Sequence, residues 1–193
     1  MPEIRVVVGL GNPGARYAAS RHNIGFRLLD RVARDLGAGP EQEEPEYRVA
    51  WGMERDARIA LLKPTTMMNR SGDALLRFPE SAAAGPGGHL VVLDDAALPF
   101  GAIRFRERGS AGGHRGLASV LDRLGTDDVP RLRLGVGGPP EGRDLREYVL
   151  EPFTPGEEAA IGPWLDAAAQ GVRTFLTEGA ETAMNRFNVP RTT

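Results

Sequence analysis

Apolar positions along this chain follow two rhythms, one nearly continuous and one with a helical period. Ile4-Arg5-Val6-Val7-Val8 and His89-Leu90-Val91-Val92-Leu93 are almost unbroken apolar runs, the pattern of strands buried on both faces. Phe26, Leu29, Val32, Ala33 and Leu36 instead recur at helical spacing, and Gly37 with Gly39-Pro40 closes that helix. The acidic stretch from Glu41 to Glu46 predicts a solvated loop. Tyr47-Arg48-Val49-Ala50-Trp51 and Arg58-Ile59-Ala60-Leu61-Leu62 predict two antiparallel strands joined by a polar turn through Glu54, Arg55 and Asp56. Beyond them come a helix through Ala74, Leu75, Leu76 and Phe78, a half-exposed strand Ile103-Arg104-Phe105-Arg106 and a helix through Leu117, Val120, Leu121 and Leu124. A strand from Arg131 to Gly137, a long helix from about Pro155 to Glu178 and a shorter turn at Ala183 to Asn188 complete the series. The alternation predicts an α/β fold: a single three-layer domain with a mixed, mostly parallel twisted sheet between helices, its antiparallel part supplied by the hairpin at Tyr47 to Leu62.

Composition narrows the picture. At 193 residues with 41% hydrophobic content, the chain suffices for one well-buried core, so one domain over residues 1–193 is expected. The absence of cysteine excludes disulfides, thiolate metal sites and a cysteine nucleophile, and fits a reducing cytoplasm. No basic segment followed by a long apolar one opens the chain, and nowhere do about 18 apolar residues run together. A cytoplasmic protein without membrane contact is expected. With a net charge of −2, any contact with phosphates must come from a local patch.

The first apolar run ends in Gly9-Leu10-Gly11-Asn12-Pro13-Gly14, which formally matches the spacing of a dinucleotide loop. The context does not match. A dinucleotide fold needs a second strand ending in an acid about 20 residues on, whereas Asp30 and Asp35 fall on the helical stretch, and Pro13 removes a backbone N–H that would cradle phosphate.

Continued through Tyr17 and Arg21-His22-Asn23-Ile24-Gly25, the stretch resembles the opening motif of bacterial peptidyl-tRNA hydrolases, G-L-x-N-P-G, then Y, then R-H-N-x-G. The resemblance runs nearly the whole chain. Lys63-Pro64-Thr65-Thr66-Met67-Met68-Asn69-Arg70-Ser71-Gly72 is similar to the family's K-P-x-T-x-M-N-x-S-G, and Asp94-Asp95-Ala96-Ala97-Leu98-Pro99 to its D-E-L-D-L-P. Gly112-Gly113-His114-Arg115-Gly116 is similar to G-G-H-N-G, Arg131 to Gly137 to R-L-R-x-G-x-G, and Ala183 to Asn188 to the ending A-M-N-x-F/Y-N. Among the departures, Ala97 replaces an acid, Arg115 replaces an asparagine, and Ala111 stands where the family often has a glycine or histidine.

The resemblance implies a hydrolase that cuts the ester between peptide and tRNA, recycling tRNA from aborted translation. Ester hydrolysis needs a base for water, a group orienting that base and donors for the oxyanion. His22 suits the base, since histidine titrates near neutral pH; Asp94 suits the orienting carboxylate; the amides of Asn12 and Asn69 both donate and accept. The resemblance further implies that Asn12 reads the blocked α-amino group, and that Arg106 and Arg133 clamp the 5′-phosphate of tRNA. Tyr17 and Met67 would offer flat or apolar contacts to the terminal adenosine at the 3′-CCA end, and recognition of the acceptor stem would rest on phosphates and shape.

Other readings stay open for single residues. Asn69 would serve substrate or cap a helix, and His114 would contact RNA or cap one. His89 is read as structural. Arg104, Arg106, Arg108, Arg115, Arg131 and Arg133 concentrate positive charge; Arg104 and Arg108 are read as a solvated strand face, and Arg115 as an RNA contact more than a catalytic group. No H-E-x-x-H, H-x-x-x-H or cysteine pair offers metal ligands beside His22, so no metal and no cofactor are expected. Peptidyl-tRNA is the expected partner, with no obligatory protein partner and a monomeric state. Two further readings differ in class: an RNA-binding relative without catalysis, and a nucleotide-dependent enzyme built on the Gly9 loop.

Overall fold

The computed structural model describes residues 3–188. Seven strands form one sheet: β1 (Ile4–Gly9), β2 (Gln42–Glu43), β3 (Tyr47–Glu54), β4 (Ala57–Pro64), β5 (His89–Asp95), β6 (Ile103–Arg106) and β7 (Arg131–Gly135). Their order is β2-β3-β4-β1-β5-β7-β6. The four central strands run parallel, β1 pairing with β4 and β5, and β5 with β7. The alternation therefore gave the architecture correctly, with two corrections. The acidic stretch is not only a loop, because Gln42 and Glu43 pair with Val49 and Arg48. Nor is the hairpin the whole antiparallel part, because β6 returns antiparallel on β7.

Alternation along each buried strand explains the continuous apolar runs. In β1, Val6 and Val8 face one core and Val7 the other; in β5, Val91 and Leu93 are likewise divided from Leu90 and Val92. One core is closed by α1 (Ile24–Asp35), α6 (Pro155–Glu178) and α7 (Ala180–Phe187), and the other by α2 (Ser71–Arg77), α3 (Pro79–Ala84) and α4 (Arg115–Leu124). A short helix, α5 (Leu145–Leu150), lies beside the sheet's carboxyl end. His89 is fully buried, bonded to Ser81 Oγ at 2.9 Å and the Gly85 carbonyl at 2.6 Å, a structural residue as read. Asn188, after α7, donates to the Phe105 carbonyl and accepts from its N–H, clipping the outer edge of β6.

The glycines after β1 serve packing. A Cβ on Gly9 would lie 2.7 Å from the Gly25 carbonyl oxygen, and one on Gly11 would lie 2.9 Å from the Phe26 ring. They let the start of α1 press onto the strand end, in place of a phosphate. Of Gly9, Gly11 and Gly25, the last is the tightest, where a Cβ would sit 2.6 Å from Leu10 O and 2.9 Å from Val92 O. Alanine is intrinsically better than glycine in a helix by about 1 kcal/mol, yet these neighbours are backbone and cannot yield. Gly25→Ala is expected to lower stability by about 1–3 kcal/mol through overpacking, read as a lower denaturant midpoint; an unchanged midpoint would contradict the packing account.

Candidate active site

Parallel strands deliver their exits to one edge of the sheet, and in open α/β sheets ligands bind there. Asn12, Tyr17 and His22 follow β1, Met67 and Asn69 follow β4, and Asp94 ends β5. All six line one cleft of about 890 Å³, together with Arg106, His114, Arg115 and Arg133. Every residue singled out for a site therefore borders the same space.

His22 sits in a 3₁₀ turn, Arg21–Asn23. Its Nδ1 lies 2.7 Å from Asp94 Oδ1. Burial alone would raise the Asp94 carboxyl, but the His22 and His114 imidazoles that meet one of its oxygens outweigh it and hold the group well below the usual carboxylate range. An ionised carboxylate only accepts. Nδ1 is therefore the donor to Asp94, and Nε2 has no protein partner among the described residues.

His114 takes the capping reading and adds a second contact to it. It caps α4, its Nδ1 accepting from Leu117 N at 3.2 Å, and its Nε2 reaches the same Asp94 oxygen at 3.0 Å. The cap fixes its tautomer with the proton on Nε2. His22, Asp94 and His114 are also the one group of potential metal ligands among the described residues, their ligand atoms lying within 4.8 Å of one another. Motif spacing could not find it, because the three come from separate segments. As arranged, both ring nitrogens address one carboxylate oxygen, the geometry of a hydrogen-bonded set.

Asn12 is held from two sides. Its Oδ1 accepts from Met68 N at 2.8 Å, while Asn23 accepts from Asn12 N at 2.8 Å and donates to Asn12 O at 2.9 Å. With Oδ1 bonded to Met68 N, the Nδ2 amide is the group without a protein partner among the described residues. Asn23, quoted in the motif but given no role, is its brace. Asn69 lies in the 3₁₀ turn Met68–Arg70 and is exposed; α2 has no side-chain cap, so the capping reading falls.

The arginines divide sharply. Arg131 is buried and donates to the carbonyls of Gly109, Ser110, Asp127 and Val129, so it staples the glycine-rich loop and offers the cleft no free charge. Arg133 is paired with Asp95, whose other oxygen accepts from Ala97 N at 2.9 Å. Arg106, Arg108, Arg115 and Arg146 line the cleft without an ion-pair partner among the described residues; Arg108 is thus part of the site's wall and more than a solvated strand face. Arg115 is the first residue of α4, where a cation opposes the helix dipole. The cleft's acids are all engaged, Asp144 by capping α5. A chain of net charge −2 therefore presents a locally positive cleft. Sequence reading also missed the α5 wall, where Leu145, Val149 and Leu150 border the space.

A family model described as peptidyl-tRNA hydrolase matches residues 6–193. The chain belongs to the peptidyl-tRNA hydrolase family. It is 45% identical to a peptidyl-tRNA hydrolase of Chloroflexus aggregans, over 95% of this chain and 98% of that one. It is equally identical to one of Moorella thermoacetica, over 97% and 100%. A crystal structure of peptidyl-tRNA hydrolase from Acinetobacter baumannii superposes with a TM-score of 0.88 at 30% identity, covering 98% of this chain and 96% of that one. A peptidyl-tRNA hydrolase crystallised with N-propanol gives 0.90 at 29%, covering 100% and 98%. No helix among the described residues of this peptidyl-tRNA hydrolase family member is long and apolar enough to cross a membrane.

Because Asp94 is held below its unfolded value of about 4, its stabilising contribution is complete above that pH. It is lost as pH falls through the depressed folded value. Asp94→Asn is therefore expected to flatten the fall in stability below about pH 4, measured by denaturant unfolding; a variant keeping the wild-type acid slope would refute the assignment.

Proposed function

We propose that this protein hydrolyses the ester joining a peptide to the 3′-terminal ribose of tRNA, releasing peptide and free tRNA. The observation that carries this reading is His22 Nε2, without a protein partner among the described residues while Nδ1 meets Asp94, in an arginine-lined cleft. Nε2 takes a proton from water as the water oxygen bonds to the ester carbonyl carbon. The tetrahedral intermediate then collapses, the bond to the ribose oxygen breaks, and the imidazolium returns its proton to that oxygen. Asp94 accepts from Nδ1–H throughout and balances the imidazolium charge, with His114 steadying the carboxylate. General-base assistance of this kind contributes about 10²–10⁴ in rate. No metal enters these steps.

Asn12 supplies the discrimination. Its free Nδ2 donates to the acyl carbonyl that a blocked amino group brings, whereas an unblocked substrate presents an ammonium, donor against donor. A buried polar group left unpaired costs about 1–3 kcal/mol. Asn69 donates to the ester carbonyl, and Tyr17 and Met67 contact the terminal adenosine at the 3′-CCA end. Arg106 takes the 5′-phosphate with Arg133 beside it, the latter shared with Asp95. Arg115 reaches a backbone phosphate. The remaining expectations are one domain spanning the chain, a monomer, and action in the cytoplasm.

Release of an N-acetylated amino acid from tRNA, followed under metal chelation, tests the chemistry. Wild-type protein should cleave the blocked ester and spare the unblocked one, His22→Ala should lose about 10² or more, and Asn12→Asp should narrow the preference. Binding of tRNA without release would leave an RNA-binding protein instead.

Arg115 is tested by salt. Arg115→Asn should weaken binding and make the slope of log affinity against log salt shallower by about 0.7, the value of one single-stranded phosphate contact; an unchanged slope removes Arg115 from the RNA interface.

A further inference from the structure

A 3₁₀ turn advances about 120° per residue, so the turn holding the base points three successive side chains in three directions. His22 meets Asp94 and Asn23 meets Asn12. Arg21 goes the third way, into the protein. It is 3% exposed, and it does not line the cleft.

There its guanidinium donates to the Pro152 carbonyl and to Glu157 Oε2 at 2.7 Å, and lies 4.3 Å from the Tyr148 ring centroid and 5.2 Å from that of Phe153. Its backbone N–H donates to the Glu151 carbonyl at 3.0 Å. Tyr148 belongs to α5, whose Leu145, Arg146, Val149 and Leu150 form part of the cleft wall, and its hydroxyl donates to Val136 O at 3.2 Å. Glu157 meanwhile accepts from Thr154 N in the capping box that starts α6. One charged side chain thus ties the turn of the base to the α5 wall and the head of α6.

Stability does not call for a charge here. Burying an ion pair costs desolvation, and well-packed apolar residues often replace such pairs without loss. What an aliphatic side chain could not reproduce is direction: a planar fork held by two acceptors and stacked on a ring has one bearing.

We infer that Arg21 is a positioning residue for the hydrolysis, fixing the bearing of His22 against the α5 wall; the inference rests on the hydrolase reading above. The test is steady-state cleavage of N-acetylated aminoacyl-tRNA by wild type, Arg21→Lys, Arg21→Met and Arg21→Ala, with thermal unfolding of each. The expected result is a kcat lowered about 10- to 100-fold in Arg21→Met, as small misplacements of catalytic groups produce, with KM changed less than about threefold. The acid limb of the kcat–pH profile should move to lower pH as the His22–Asp94 contact loosens. Arg21→Lys should retain part of the rate, and millimolar guanidinium should restore part of it to Arg21→Ala.

Variants that melt earlier but keep wild-type kcat and an unmoved acid limb would overturn the inference. Should the Arg21 variants not fold, Glu157→Ala decides, with Thr154→Ala as its control. Glu157→Ala removes the acceptor of the guanidinium together with the α6 cap, whereas Thr154→Ala loosens the cap alone, so a kcat equal to that of Thr154→Ala overturns the inference and a lower kcat with unchanged KM supports it. Wild-type protein that leaves the ester intact sinks the hydrolase reading itself, whereas wild-type cleavage with unaffected Arg21 variants sinks only the positioning role.

Discussion

Three backbone segments meet at one point, and the site hangs from that meeting. Leu10 N donates to Val92 O at 2.9 Å, joining the exit of β1 to β5, and Gly25 lies against both Leu10 and Val92 without room for a methyl group. Asp94 stands two residues past Val92 on a strand, and His22 three residues before Gly25 on the turn entering α1. The closeness of β1, β5 and the head of α1 therefore sets the separation of carboxylate and imidazole. A contact spanning 72 positions in sequence becomes a local consequence of strand register.

Around that point, the chemistry divides between groups that are committed and groups that are free. The carboxylates of Asp94, Asp95 and Asp144 are all engaged by histidines, arginine or backbone N–H groups. Arg106, Arg108, Arg115 and Arg146 face the same space unpaired among the described residues. Local field, not net charge, then decides which molecules enter. The two amides divide similarly, Asn12 clamped by its carbonyl oxygen and Asn69 exposed.

Much of this was legible in the residues. Continuous apolar runs marked β1 and β5 because both faces are covered, and the spacing from Phe26 to Leu36 marked α1 because one face is. The residues that border the cleft were legible as motifs, those after β1 and β4 and at the end of β5 sitting at strand exits. Pairing by side chains was not. His114 carries no mark of whether it faces RNA or a carboxylate, and Arg131 looks like any surface cation until its carbonyl acceptors are seen. The strand β2 escaped because two polar residues, Gln42 and Glu43, show no apolar alternation. The α5 wall escaped because its apolar residues face the cleft in a segment too short to show a helical period.

The clip at the sheet's edge bears on how the molecule comes to be made. Strand β6 has a neighbour on one side only, and an open edge is a template for unwanted pairing. Its free side is closed at Phe105 by the amide of Asn188, a residue 83 positions later. On a chain synthesised from its N-terminus, every other strand of the sheet has emerged before that amide exists. The outer edge of β6 is thus sealed only after all seven strands exist, and the residue that follows α7 is its stopper.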